Sequence, residues 1–207
     1  MQAAPIAFRR TVGPEDQARA DLYAVLGRLY ADAPGHEFLK ALGSADRMPN
    51  GNGNALASAW NRLADASVAM DADAAAQEYT DLFIGVGKCE VNLHASHWIA
   101  GFMAEKPLVQ LRSDLIALKI TRKEAAILME DHLSALCETM RLLVAGDVER
   151  LPATVQQQRN FLEKRLLSWA FDCCAAIEKS SLANYYRRVA ELTEQFLALE
   201  RESLAID

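Results

Sequence analysis

Two places in this chain carry residue types that a helical protein does not need for folding: the stretch Tyr79 to Trp98 and the pair Asp131-His132. Cys89, His94, His97 and His132 offer metal-ligating atoms, and His94 and His97 stand one helical turn apart. That is the single recognisable ligand spacing, and zinc needs three or four ligands, so the fold would have to supply the rest. With Asp131 added, the same set could serve a helical metal-dependent hydrolase. The plainer reading is histidines at helix ends, satisfied by hydrogen bonds.

Gly85 and Gly87 lie two apart beside Lys88. A phosphate-cradling loop would carry more glycines and a lysine-serine pair opening a helix. Glycines that let the chain turn at positive φ after a helix explain the pair better. Asp131 suits a helix N-cap. On a continuous helix it would also share a side with Glu138, two turns on. Two carboxylates suggest acid–base work, yet no nucleophile accompanies them. A strip of acid beside apolar residues fits the grip on an arginine-bearing peptide better, through charge-assisted hydrogen bonds to the guanidinium. Trp98 and Trp169 read first as core.

The elements that must position these groups are helical. Pro14 with Glu15-Asp16 opens a helix whose stripe is Leu22, Val25, Leu26, Leu29 and Tyr30, and Pro34-Gly35 ends it. A short helix from His36 to Leu42 and a glycine- and asparagine-rich connector over 43–54 follow. Asn54 caps a helix to about Met70, and Asp71 or Asp73 caps one ending near Phe83. The pattern then predicts helices around His94–Ala104 and from Pro107 to about Lys119. The capping box Thr121-x-x-Glu124 predicts another over Ala125 to Met129. Leu133, Leu136, Cys137, Met140, Leu143 and Val144 form a core stripe closed by Gly146. Pro152 opens the last third, with Phe161, Leu162, Arg165, Leu166 and Trp169 on one side and small, apolar residues over Ala170 to Ile177. Ser181 caps a final helix that buries Leu182, Tyr185, Tyr186, Val189, Leu192, Phe196 and Leu199. No segment alternates with period two over a strand's length. The expectation is an all-α single-domain bundle of about nine to eleven helices over 14–207, behind a flexible arm over 1–13.

Composition narrows the function. The 207 residues suit one domain with a real core. A net charge of −6 and a pI of ≈ 5.3 disfavour nucleic-acid binding and suit a basic partner. No apolar run is long enough to span a membrane. Arg9-Arg10 has the doublet of a twin-arginine export signal but lacks the apolar segment that completes one, so the chain is expected in the cytoplasm. Four cysteines without a CxxC pair fit buried thiols in a reducing cytosol.

Taken in order, three blocks resemble the TorD/DmsD family of redox-enzyme maturation chaperones. Tyr79, Leu82, Phe83, Gly85 and Gly87, then Ser96 and Trp98, match the family's Tyr-x-x-Leu-Phe-x-Gly and its short serine-aromatic element. Asp131-His132-Leu133 with Glu138 and Met140 matches its Asp-His helix start. Phe161-Leu162 through Leu166 to Trp169 is similar to its late helix, and Asn184-Tyr185-Tyr186 to its final one. The chain departs from the pattern in three places: Leu128-Met129 replaces Glu-Pro, Asn92-Leu93-His94-Ala95 replaces a Pro-Pro-Tyr-like segment, and Arg165 replaces a histidine.

The resemblance implies a non-catalytic chaperone without a cofactor, monomeric or a domain-swapped dimer. Its client would be the apo catalytic subunit of a molybdenum-cofactor oxidoreductase or that subunit's twin-arginine leader, held until cofactor insertion is complete. It implies a client groove built from Tyr79, Leu82, Phe83, Gly85, Gly87, Ser96, Trp98, Asp131, His132, Glu138 and Met140. Asp131, with Glu130 or Glu138, would meet the client's arginines, and Leu82, Phe83, Trp98 and Met140 would furnish apolar surface. His132 would order the loop or sense protonation near the imidazole reference of about 6.5.

Overall fold

The computed structural model describes residues 12–49, 51, 53–85, 87–101, 105–122, 127–148 and 150–205. Ten α-helices appear among them: α1 Pro14–Ala31, α2 His36–Gly43, α3 Ala55–Ala69, α4 Ala72–Tyr79, α5 Ala95–Ala100, α6 Glu105–Ala117, α7 Leu133–Ala145, α8 Val155–Phe161, α9 Ala170–Lys179 and α10 Tyr185–Ala205. Two π-helical turns, Thr80–Ile84 and Leu162–Leu167, extend α4 and α8. The described residues form no strand, so the architecture is all-α. The Arg9-Arg10 doublet, most of the N-terminal arm and Glu124 of the expected capping box lie outside the described residues.

Local chemistry accounts for most boundaries. Asn54 caps α3 by accepting from Ala57 N, and Asp71 caps α4 by accepting from Asp73 N and Ala74 N. Thr154 and Gln157 form a reciprocal capping box at the start of α8. Gly146 ends α7 at φ +70°, where an added Cβ would stand 2.3 Å from the Arg150 carbonyl oxygen. The Arg150 guanidinium in turn donates to the Leu118 and Lys119 carbonyls, closing the end of α6.

α1 lies along α7, and α10 packs against α3 and α9. One continuous apolar cluster runs between them, from Tyr23, Leu26 and Tyr30 of α1 through Leu136 and Met140 of α7 to Tyr186, Val189 and Phe196 of α10. Inside it the Arg19 guanidinium makes two bonds to Glu200, at 2.7 and 2.9 Å, and a third to Gln158. The Tyr23 hydroxyl donates to the same Glu200 carboxylate. A buried ion pair is tolerable only when its lone pairs are filled in this way, and here it ties α1, α8 and α10 together.

Several expectations need correction. Ser181 does not cap the last helix, because α10 begins at Tyr185 and the first-turn N–H groups turn to Glu78 of α4. Leu182 and Leu199 are about half exposed rather than core. α5 ends at Ala100, capped by Gly101 at a left-handed φ of 77°. Ile127 to Met129 are not helical, so the helix expected there is absent over its described part.

Candidate functional site

The block Tyr79, Leu82, Phe83 forms part of the core. The Tyr79 hydroxyl donates to the Tyr30 carbonyl, and its ring stands edge-on to Phe83 at 5.2 Å. Phe83 meets Tyr186 at 5.0 Å, also edge-to-face, a favoured aromatic geometry. Leu82 is fully buried. The π turn makes this possible: Gly85 N bonds back five residues to Thr80 O at 2.7 Å. Gly85 then reverses the chain at φ +63°, and a Cβ there would meet the Lys88 carbonyl oxygen at 2.3 Å. Gly87 is also left-handed, at φ +88°, with open space around it. The Val91 N–H closes the loop on Leu82 O.

The returning segment meets the start of α7. His94 and His132 form an isolated antiparallel bridge, with Leu133 N donating to Leu93 O and Ala95 N to Asp131 O. Asp131 is 2% exposed. Its Oδ2 accepts the Ser96 N–H at 3.1 Å and its Oδ1 lies 3.0 Å from His94 Nδ1. Asp131 therefore caps α5, not α7. The α7 cap is His132, whose Nδ1 accepts from Ser134 N. Two helix N-termini thus converge on adjacent residues. Trp98, half-buried on α5, donates its indole N–H to Asn92 O and steadies the loop.

Electrostatics follow from this packing. Burial alone would raise the Asp131 carboxyl, but the hydrogen bonds from His94 and Ser96 outweigh it and bring it down to about 2. His132 moves down to about 4, first by burial and then by the neighbouring His94 charge, and so does not titrate near 6.5. Its ring stands edge-on to His94 at 4.9 Å.

Asp131 and Glu138 do not form one acidic strip, since Asp131 precedes α7 and faces inward while the Glu138 side chain is half exposed. Met140 is fully buried, and with Leu82 it offers no surface to a client. Ser96 is buried as well, contributing its main-chain N–H. The expected hydrolase set does not assemble either. The Nδ1 atoms of His94 and His132 and the Asp131 carboxylate are engaged as above, and among the described residues no three His, Cys, Asp or Glu side chains converge as ligands.

A groove that sequence reasoning did not find lies beside this joint. Leu115 and Ile120 at the end of α6, Leu128 of the following segment, and Ala135 and Leu142 of α7 line a cavity of ≈ 270 Å³. Glu130 and Glu138 stand in its lining. Each holds an arginine of the chain through both carboxylate oxygens: Arg112 on Glu130 at 3.0 and 3.1 Å, Arg141 on Glu138 at 2.7 Å twice. The Arg112 guanidinium holds Glu130 below the usual carboxylate range. Ile127, next to Leu128 in sequence, is 93% exposed. Arg141 is one helical turn from Glu138 on α7, whereas Arg112 reaches Glu130 from 18 residues back, with no local signal except the acid itself.

Residues 50–175, more than half of the chain, match the family model described as the nitrate reductase delta subunit. No curated protein matches the sequence. The matched span contains the π turn, the glycine loop, the α5–α7 joint and the groove. The chain belongs to the nitrate reductase delta subunit family, a TorD-like family of molybdoenzyme-specific maturation chaperones rather than of catalysts.

Proposed function

We propose that this chain is a cytoplasmic chaperone that binds the apo catalytic subunit of a molybdenum-cofactor oxidoreductase, by a segment bearing arginine and aliphatic residues, and holds it until the cofactor is inserted. A twin-arginine leader and the N-terminal stretch of a subunit without one share that chemistry. The segment would cross the α5–α7 joint and enter the groove between α6 and α7.

The observation that carries this reading is the pair Glu130 and Glu138 at the apolar groove, each already holding a guanidinium with two hydrogen bonds. Bidentate guanidinium recognition is geometrically specific. Exposed ion pairs contribute little to stability, so Arg112 and Arg141 can give way to a client arginine at small cost. A cavity of ≈ 270 Å³ is below the roughly 300–1,000 Å³ of small-molecule sites and suits an anchoring side chain. Arg122 also lines the groove and limits its net acidity. Recognition then depends on exchange of partners rather than on bulk charge.

Calorimetry with the apo molybdoenzyme subunit encoded beside this gene, and with a peptide copied from its N-terminus, tests the reading. Wild type should bind at least one of them, and Glu130→Gln with Glu138→Gln should weaken binding about tenfold, the scale of one lost charge-assisted contact. Failure of both ligands to bind wild type would overturn it.

A further inference from the structure

His94 is held on several sides yet keeps one ring nitrogen unengaged. Its main-chain N–H donates to Asn92 Oδ1 at 2.8 Å, and its carbonyl accepts from His97 N. Its ring packs edge-on against His132, and its Nδ1 lies 3.0 Å from the Asp131 carboxylate. The Asp131 carboxylate is ionised at neutral pH and can only accept, so Nδ1 is the ring nitrogen that donates, and the tautomer this selects has its lone pair on Nε2. Among the described residues, Nε2 has no hydrogen-bond partner, nor is it a buried unsatisfied atom. The side chain is 22% exposed and opens that nitrogen to solvent. Such a couple fixes both tautomer and ring direction, at no further entropic cost when a ligand arrives.

We propose that His94 is a client-contacting residue, presenting Nε2 as a fixed acceptor to an N–H donor of the bound segment, and that Asp131 is a positioning residue acting through it. The inference rests on the reading that the client crosses the α5–α7 joint. Asp131, the more obvious acid, is turned inward and spends both oxygens on His94 and Ser96. Its influence on a client passes through the ring it orients. Trp98 and Asn92, both half-buried, flank the same surface and are joined by the indole hydrogen bond.

Two isosteric substitutions separate contact from scaffold. In His94→Asn the side-chain amide reproduces the Nδ1 donor to Asp131 but has nothing at the Nε2 position. In His94→Gln the amide reaches the Nε2 position and gives up the bond to Asp131. Binding of the apo molybdoenzyme subunit encoded beside this gene is measured for both, alongside thermal melting. The expected result is a His94→Asn protein that melts like wild type and binds about tenfold more weakly, the scale of one hydrogen bond. His94→Gln should melt lower and bind better than His94→Asn. His94→Asn binding as tightly as wild type overturns the inference. So does a folded His94→Gln protein that binds more weakly than His94→Asn, which is the order a scaffolding role predicts. Absence of wild-type binding would instead sink the chaperone reading on which the inference rests.

Discussion

The Glu78 carboxylate accepts the main-chain N–H of Tyr186 at 2.8 Å, although 108 residues separate the two. It also accepts from Asn184 N and Tyr185 N, so one acid of α4 serves as the N-terminal cap of the longest helix. A negative charge at a helix N-terminus is favoured by the exposed N–H groups and by the helix dipole. Glu78→Ala would leave three N–H groups without acceptors in a largely buried place. The expected cost is about 3 kcal/mol by denaturant titration, or on the order of 10 °C in melting temperature for a chain this long. Glu78→Gln should recover only part of it, since its amide nitrogen cannot accept.

Acid stability should show two separable contributions. His132 sits below its unfolded value of about 6.5, at about 4. The unfolded chain therefore binds the proton first, and this group's contribution is present above pH 6.5 and is lost as pH falls towards 4. Asp131 moves from 3.8 to about 2, so its contribution is present above pH 3.8 and is lost between there and pH 2. His132→Asn keeps a side-chain acceptor for Ser134 N without titrating. It should flatten the slope of unfolding free energy between pH 6.5 and 4 and leave the steeper acid limb in place. Urea melts at half-unit pH intervals read both.

Gly85 and Gly87 look alike in the sequence, and alanine should tell them apart. At Gly87 the cost is the left-handed backbone alone, about 1–2 kcal/mol, because no atom lies near an added Cβ. At Gly85 the Cβ would also strike Lys88 O at 2.3 Å, so the turn itself must move. Gly85→Ala should be the more destabilising of the two by equilibrium unfolding, and should also loosen the Val91–Leu82 closure seen by amide exchange.

Thiol chemistry offers a check on the packing. Cys137, Cys173 and Cys174 are buried, and burial pushes the Cys137 thiol up to about 12. Cys89 in the loop is half-buried. Thiolates, not thiols, attack alkylating reagents. Iodoacetamide under native conditions should therefore modify one thiol per chain, mapped to Cys89, and the other three only after unfolding.

Much of the fold was legible because it is local. The apolar stripes of α1 and α7, the caps at Asn54 and Asp71 and the glycine stop at Gly146 are written within a few residues of one another. The Tyr79–Phe83 block was noticed for its residue types, but its aromatic partners Tyr30 and Tyr186 come from the two ends of the chain. The start of α10 was misplaced at Ser181 because its acceptor is on α4. Asp131 read correctly as a cap but for the wrong helix, since the N–H it serves lies 35 residues back. The groove is not legible in the sequence because its lining is drawn from three segments, and although Glu138 and Arg141 are one helical turn apart, Glu130 finds Arg112 18 residues back.

The π turn at Thr80–Ile84 closes over five residues where an α-helix would use four. An α-helix turns about 100° for each residue. Removing any one residue from this stretch would let the ladder continue at the ordinary spacing, and everything beyond it would swing by about that angle. Phe83 would then leave Tyr186, and Gly85 would no longer reach its reversal. What this stretch must pass on intact between related chains is thus its count of residues as much as their identity: a change of side chain there is a local repair, whereas a one-codon deletion is a change of geometry.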